Sequence, residues 1–204
     1  MTTDIKPTRT ELIKLKKRIK LAKSGHKLLK KKRDGLILEF FEVLKKAKTL
    51  REELTGYYRK AQKKMNYARV VESDLKIRSI AMAISQEPDI ELEEKNIVGV
   101  VVPKIDRPEL HKKMEERGHG YFNSAAIDEA ATQYEYLVEK ILEAAEVETT
   151  MRKMLEEIEK TKRRVNALEF EVIPKLEVQE AFIKMRLEEQ ERENFSRLKI
   201  IKGR

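Results

Sequence analysis

From Leu12 onward, apolar residues recur in alternating steps of three and four, and the register never slips. One row runs Leu12, Ile19, His26, Arg33, Phe40, Ala47, Leu54, Ala61, Ala68 and Leu75. Its companion runs Leu15, Ala22, Leu29, Leu36, Val43, Leu50, Tyr57, Lys64 and Val71. Sixteen of these 19 positions are apolar. A stripe held over nine heptads predicts a left-handed coiled-coil seam, because the apolar face of a globular helix drifts in phase. Thr8 to Glu11 fits a capping box, with Pro7 just outside it, so the helix is expected to start there. As one helix, residues 12–75 would span roughly 96 Å at 1.5 Å per residue. Such a helix cannot hide its own stripe and requires a partner.

A second stripe in the same chain supplies one. It reads Ile127, Ala130, Tyr134, Leu137, Ile141, Ala144, Glu148, Met151, Leu155, Ile158, Lys162, Val165, Glu169, Val172 and Leu176, with 12 of 15 positions apolar. Asn123 and Ser124 are candidate N-caps. Helix formers continue to about Lys199. Pro174 removes a backbone hydrogen bond inside this stretch, which predicts a bend over 170–174.

Six of the 12 Gly and Pro residues fall in 76–124, which marks the turnaround. Residues 89–93 and 96–102 read as two short strands with the turn near Glu94 and Lys95, since Ile97, Val98, Val100, Val101 and Val102 are β-branched. Pro108 suits the first position of a short helix over 108–117. The expected fold is mainly all-α: a long antiparallel two-helix coiled coil with a short middle segment holding a small β-hairpin and short helices. The expected divisions are 1–86, 87–123 and 124–204. Local opening is expected where alanine dominates the seam, at Ala47, Ala61 and Ala68.

Composition agrees. Ala, Glu, Lys, Leu and Arg make up 109 of 204 residues, a helical-rod signature. There is no run of 18 apolar residues, so no transmembrane helix is expected, and no secretory leader is read at the N-terminus. Absence of cysteine excludes disulfides and cysteine-held zinc. The net charge of +9 is uneven: residues 1–33 carry 13 cations and two acids. Neither a phosphate loop nor a dinucleotide fingerprint occurs, and the Glu pairs read as helix surface. His111 and His119, beside Glu115 and Glu116, do not form a ligand set. No catalytic residue, cofactor or metal is expected.

Other residues carry candidate roles. His26, Arg33, Lys64, Glu148, Lys162 and Glu169 form a polar subset of the seam, where charged groups fix register. If Leu75 opposes Ile127, Arg33 meets Glu169. Gly25 and Gly35 either admit a close approach of the paired helix or loosen it. Tyr57 and Tyr58, with Ile97, Val98 and Val100 of the hairpin, are candidates for docking a small partner. On the residues alone, a coiled-coil scaffold and a basic nucleic-acid-binding helical hairpin both stay open.

Three blocks narrow this. The first is Pro7-Thr8-Arg9, Leu12, Leu15, Ile19, Ala22, Gly25, Leu28-Leu29-Lys30, Lys32-Arg33-Asp34 and Leu36. The second is Asn96-Ile97-Val98-Gly99-Val100 with Val102-Pro103. The third is Arg163-Arg164-Val165-Asn166-Ala167-Leu168-Glu169 with Val172-Ile173-Pro174. In order and spacing, over nearly the full chain, they resemble the D subunit of the archaeal A-type and V-type rotary ATPases. The resemblance implies a non-catalytic central rotor shaft that couples ATP synthesis or hydrolysis to ion translocation. It implies as partners the hexamer of A and B subunits, a small F subunit, and the C subunit linking to the membrane ring. It also implies a peripheral place on the cytoplasmic face of the membrane. Within that reading Arg9, Lys14, Lys16, Lys17 and Arg18 are candidates to meet acidic loops of the hexamer.

Overall fold

This computed structural model describes residues 6–83, 90–106 and 124–203. The expected helix over 108–117, Asn123, His111 and His119 lie outside the described residues. Elements follow in the order α1 (Arg9–Val71), α2 (Asp74–Ala83), β1 (Glu91–Ile97), β2 (Val100–Asp106), α3 (Ala125–Ala167), a π-helical turn (Leu168–Val172) and α4 (Ile173–Lys202). The chain is mainly α, with one antiparallel two-stranded hairpin. It divides into two compact units. The first comprises the described residues of Met1–Gly35 and Ile158–Arg204, the second Leu36–Glu157.

Local signals set the helix ends. The Glu11 amide donates to Thr8 Oγ1 at 3.2 Å, which is the expected N-cap. Ser124 caps α3, accepting from the Ala126 amide at 3.4 Å. The first helix stops earlier than expected. It breaks after Val71, and Ser73 caps α2 through the Lys76 amide at 3.4 Å. Leu75, expected on the seam, is 81% exposed.

In the second unit α1 packs against α3 around Ala68, Ala126, Ile127 and Ala130, with Ile77 and Ile80 of α2 closing over them. Ile127 therefore meets Ala68, one heptad before Leu75. Ala61 and Ala68 are fully packed rather than open. Ala47, with Leu44, Leu54, Ala144, Val147 and Met151, lines a cavity of about 510 Å³.

In the first unit the start of α1 packs against α4. Leu15, Ile19 and Ile183 are buried together, flanked by Leu12, Leu176 and Leu187. The packed face of α3 differs from the expected stripe in one of its two rows. Leu137 and Val165 hold as buried positions. The alternate row runs through Met154 and Thr161, buried to 0% and 1%, while Leu155 is 45% exposed and Glu148 and Lys162 face outward. Thr161 escaped an apolar count because its hydroxyl can bond its own helix while its methyl packs.

The expected bend is a π-turn. The Ile173 amide donates to Leu168 O, five residues back. Pro174 is the second residue of α4, where its missing N–H and bulky ring are accommodated. The turn lodges one extra residue, so the packed positions step from Leu168 to Ile173 before resuming with Leu176 and Ile183. That five-residue step is why the apolar pattern blurs here.

The hairpin pairs Glu91 with Asp106 through Ile97 with Val100. Its turn is at Val98–Gly99, not at Glu94 and Lys95, which lie inside β1. Val98 has φ 50° and Gly99 φ 81°, the left-handed pair a two-residue hairpin turn requires. Asn96 Oδ1 accepts from the Gly99 amide at 2.8 Å. A β-branched residue in this region is strained by about 1–3 kcal/mol. Val98→Asn is therefore expected to stabilise the hairpin by about 1 kcal/mol. Slower amide exchange at Lys95 and Val102 in the variant would register it, and unchanged exchange would mean the turn carries no strain.

Gly25 and Gly35 have nothing within 4 Å of where a Cβ would sit. A close helix approach is therefore not their role.

Candidate interaction surfaces

The five basic residues proposed for the hexamer do not share one surface. Arg9 donates to Glu191 at 2.6 Å, tying the start of α1 to α4. Lys14 holds Glu11 at 2.8 Å, and this hydrogen bond, helped by Arg18 at longer range, keeps the Glu11 carboxyl below its ordinary range. Lys16, Lys17 and Arg18 are exposed. At about 100° per residue Lys17 and Arg18 point far from Lys16 around the helix. A coherent basic face exists instead at Lys16, Lys20, Lys23 and Lys27. With Ile19, Ser24 and Glu180 they line a shallow groove of about 420 Å³.

The polar seam candidates separate into two groups. His26 and Arg33 lie half-buried on the packed side, their side chains 20% and 24% exposed. Arg33 binds Asp34 at 2.9 Å, and Glu169 meets His26 Nε2 at 3.4 Å, so the expected Arg33–Glu169 pair does not form. The offset is again one heptad. Lys64 pairs with Glu129 at the edge of the second unit. Glu148 lies outside beside Arg152 at 3.7 Å, and Lys162 is likewise exposed.

Lys140 was missed by the apolar count. It donates to Glu143 at 3.0 Å and faces Glu53 of α1 at 3.6 Å. Its signal was present: it lies three residues after Leu137, where the packed row can continue. The hydrogen bond to Glu143 raises the Lys140 pKa above the ordinary 10.5, against the opposing effect of burial, with added attraction from Glu143, Glu53 and Tyr57. A raised folded pKa means the stabilisation is whole below pH 10.5 and is lost as pH rises through the folded value. Lys140→Met is expected to cost about 1 kcal/mol at pH 7 by removing its contacts to Glu143 and Glu53, with the difference shrinking as pH rises through the folded pKa. Urea midpoints over an alkaline series starting at pH 7 check this; a difference that does not shrink as the lysine loses its proton would count against it.

Of the small-partner candidates, Tyr57 is half-buried with Lys60 Nζ 5.5 Å from its ring centroid, and Tyr58 is 54% exposed. Ile97 is half-buried and Val98 exposed at the hairpin tip. Val100 points inward with Val102 and is not available to a partner, whereas Val101, on the other face, is 45% exposed. The hairpin's inner edge meets α3, where the Ile105 amide donates to Glu146 Oε2 at 3.4 Å.

Among the described residues no helix is long and apolar enough to cross a membrane. The family model described as the ATP synthase D subunit matches residues 11–203. The chain belongs to the ATP synthase D-subunit family. It is 58% identical over 200 residues to the A-type ATP synthase D subunit of Methanococcoides burtonii, covering 98% of this chain and 97% of that one. It is 55% identical over 202 residues to that of Methanosarcina acetivorans, covering 98% and 97%. With the A-type D subunit of Archaeoglobus fulgidus it shares 51% identity over 201 residues, covering 98% and 96%. These matches run nearly end to end, so the paired helices and the hairpin both fall within the family region.

Proposed function

We propose that this chain is the central rotor shaft of an A-type ATP synthase, coupling ATP synthesis or hydrolysis in a hexamer of A and B subunits to ion translocation across the membrane. The observation that carries the reading is the nearly end-to-end likeness to A-type D subunits. The chain performs no catalysis in this reading. It sits as a peripheral component on the cytoplasmic face, joined to the membrane ring through the C subunit, with the small F subunit docking beside Tyr58 or at the hairpin face carrying Val98 and Val101.

Its chemistry suits the task. A turning element must touch a surrounding sleeve without sticking, and charged outer faces slide where large apolar contacts would hold. An element with unlike faces binds three equivalent sites differently and so biases each toward a different state, which is a population shift by differential contact. The fully packed Ala61 and Ala68 layers and the paired Arg9–Glu191 and Lys64–Glu129 edges favour torsional stiffness within each unit.

The test is stoichiometric capture. A tagged chain expressed with its A and B subunits is expected to retain a nucleotide-hydrolysing hexamer at one copy per three catalytic sites. Recovery of the chain free of the hexamer, or in equal number with the A subunit, would overturn the proposal.

A further inference from the structure

Three weaknesses of the first unit coincide at one level. On α1 the pair Ser24–Gly25 lies in the helix interior. Glycine there costs helix stability relative to alanine, and a Gly/Ser pair is one of the few sites at which long helices bend. Packing does not demand it, because a Cβ built on Gly25 meets nothing within 4 Å. On the opposite helix the π-turn over Leu168–Val172, with Pro174 just after it, supplies the other two kinds of bending site. His26 Nε2 lies 3.4 Å from Glu169 Oε2, inside the π-turn. Lys23 Nζ lies 2.7 Å from Glu177, beyond Pro174. Gly25 therefore stands level with the turn. The packed core is interrupted at the same level. Leu15, Ile19 and Ile183 are buried on one side of it, and Thr161 and Val165 on the other. Between them, among the described residues 20–35 and 166–182, no side chain is fully buried.

We infer that Ser24–Gly25 and the π-turn are the two halves of one joint, at which both helices of the first unit bend together. The coincidence of level selects a joint over two separate soft spots. A break in one helix of a pair is splinted by an unbroken partner, whereas breaks at the same level in both leave no splint. The gap in the core removes the interdigitation that resists a bend elsewhere. The contacts that cross the joint suit motion as well. Lys23 and Glu177 pair through long, half-exposed side chains that can follow a bend without parting. Bending both helices about an axis that crosses them needs no sliding of one along the other, so the Arg9–Glu191 pair keeps the two in step. Under the proposed function the joint lets the end of a turning shaft tilt while the rest rotates. That use rests on that reading; the joint itself does not.

Because the chain has no cysteine, spin labels can be placed at chosen sites. K17C/K31C puts them on two exposed positions of one α1 face, about 21 Å apart, with Gly25 between. Four labelled full-length proteins are compared: the parent, G25A, G56A, and a closed-turn variant combining deletion of Phe170 with P174A. Gly56 is as open as Gly25 but lies in the second unit, so G56A is the control. Pulsed dipolar spectroscopy should give a broad distance distribution in the parent and in G56A, and a narrow one in G25A and in the closed-turn variant. Narrowing by the closed turn is the deciding result, because its changes lie on the helix that carries neither label. Amide exchange on the unlabelled proteins gives a second reading. G25A should slow exchange about fivefold over residues 22–29 and slow it over 168–176 as well. A parent distribution as narrow as that of the variants would overturn the inference. So would a G25A effect confined to α1 with no narrowing by the closed turn. If the closed-turn protein does not fold, exchange over 168–176 in G25A decides. Neither measurement involves another subunit, so the joint is tested separately from the rotor reading.

Discussion

Ile183→Ala is expected to cost about 3 kcal/mol, among the largest losses available to a single side chain here. Ile183 is 1% exposed and is the α4 side chain that Leu15 and Ile19 close on. The first unit has few other buried apolar groups, so the cavity left behind cannot be refilled by neighbours and the unit loosens as a whole. Leu198→Ala on the same helix, where the side chain is 63% exposed, should change stability by less than about 0.5 kcal/mol. Urea unfolding with amide exchange checks both. In Ile183→Ala the amides around Leu15 and Leu176 should lose protection while those around Ala68 and Ala130 keep it. A loss below about 1 kcal/mol would mean that this cluster does not hold α1 to α4.

The second large effect concerns the π-turn. Removing Phe170, whose side chain is 75% exposed, shortens the step between Leu168 and Ile173 from five residues to four. The turn then closes as ordinary α-helix with Ile183 still in phase. Pro174, however, would fall in a helix interior, where its ring meets a carbonyl and costs about 3 kcal/mol. Deleting Phe170 alone should therefore be costly, and deleting it with Pro174→Ala should restore most of the loss. Deleting Val178 instead, beyond the turn, rotates every later residue by about 100° and carries Ile183 off Leu15 and Ile19. That deletion should cost as much as losing the cluster, with no rescue from Pro174→Ala. Thermal melts of the four proteins decide it. Equal damage from the Phe170 deletion with and without Pro174→Ala would show that the proline does not require the π-turn.

These effects also mark what could be read in advance. The seam of α1, its Thr8 cap, the Ser124 cap and the antiparallel hairpin all follow from local rules, because periodicity, caps and β-branched runs act over a few residues. What local rules do not fix is alignment. The packed row of α3 includes Thr161 and excludes Leu155, a distinction that depends on which neighbour is present. Lys140 joins the packed side through Glu53, a partner 87 positions away in sequence. The hairpin turn moved to Val98–Gly99 because Asn96 can fold back onto the Gly99 amide, and that choice outweighs valine's dislike of positive φ. For the surfaces, charge density was legible but its distribution was not. Arg9 and Lys14 are consumed by Glu191 and Glu11, and the open cations fall along a different edge.

The one-heptad discrepancy, found both at Ala68 with Ile127 and at His26 with Glu169, has a folding consequence. A seam that repeats every seven residues is nearly symmetric under sliding by seven, so misaligned pairings bury almost as much apolar surface as the correct one. Aperiodic marks tell them apart, among them the break at Ser73, the widened turn before Pro174, and cross-helix pairs such as Lys64–Glu129 and Arg9–Glu191. Refolding from urea should then pass through long-lived slipped alignments, and erasing any of these marks should lengthen that search more than it lowers the final stability.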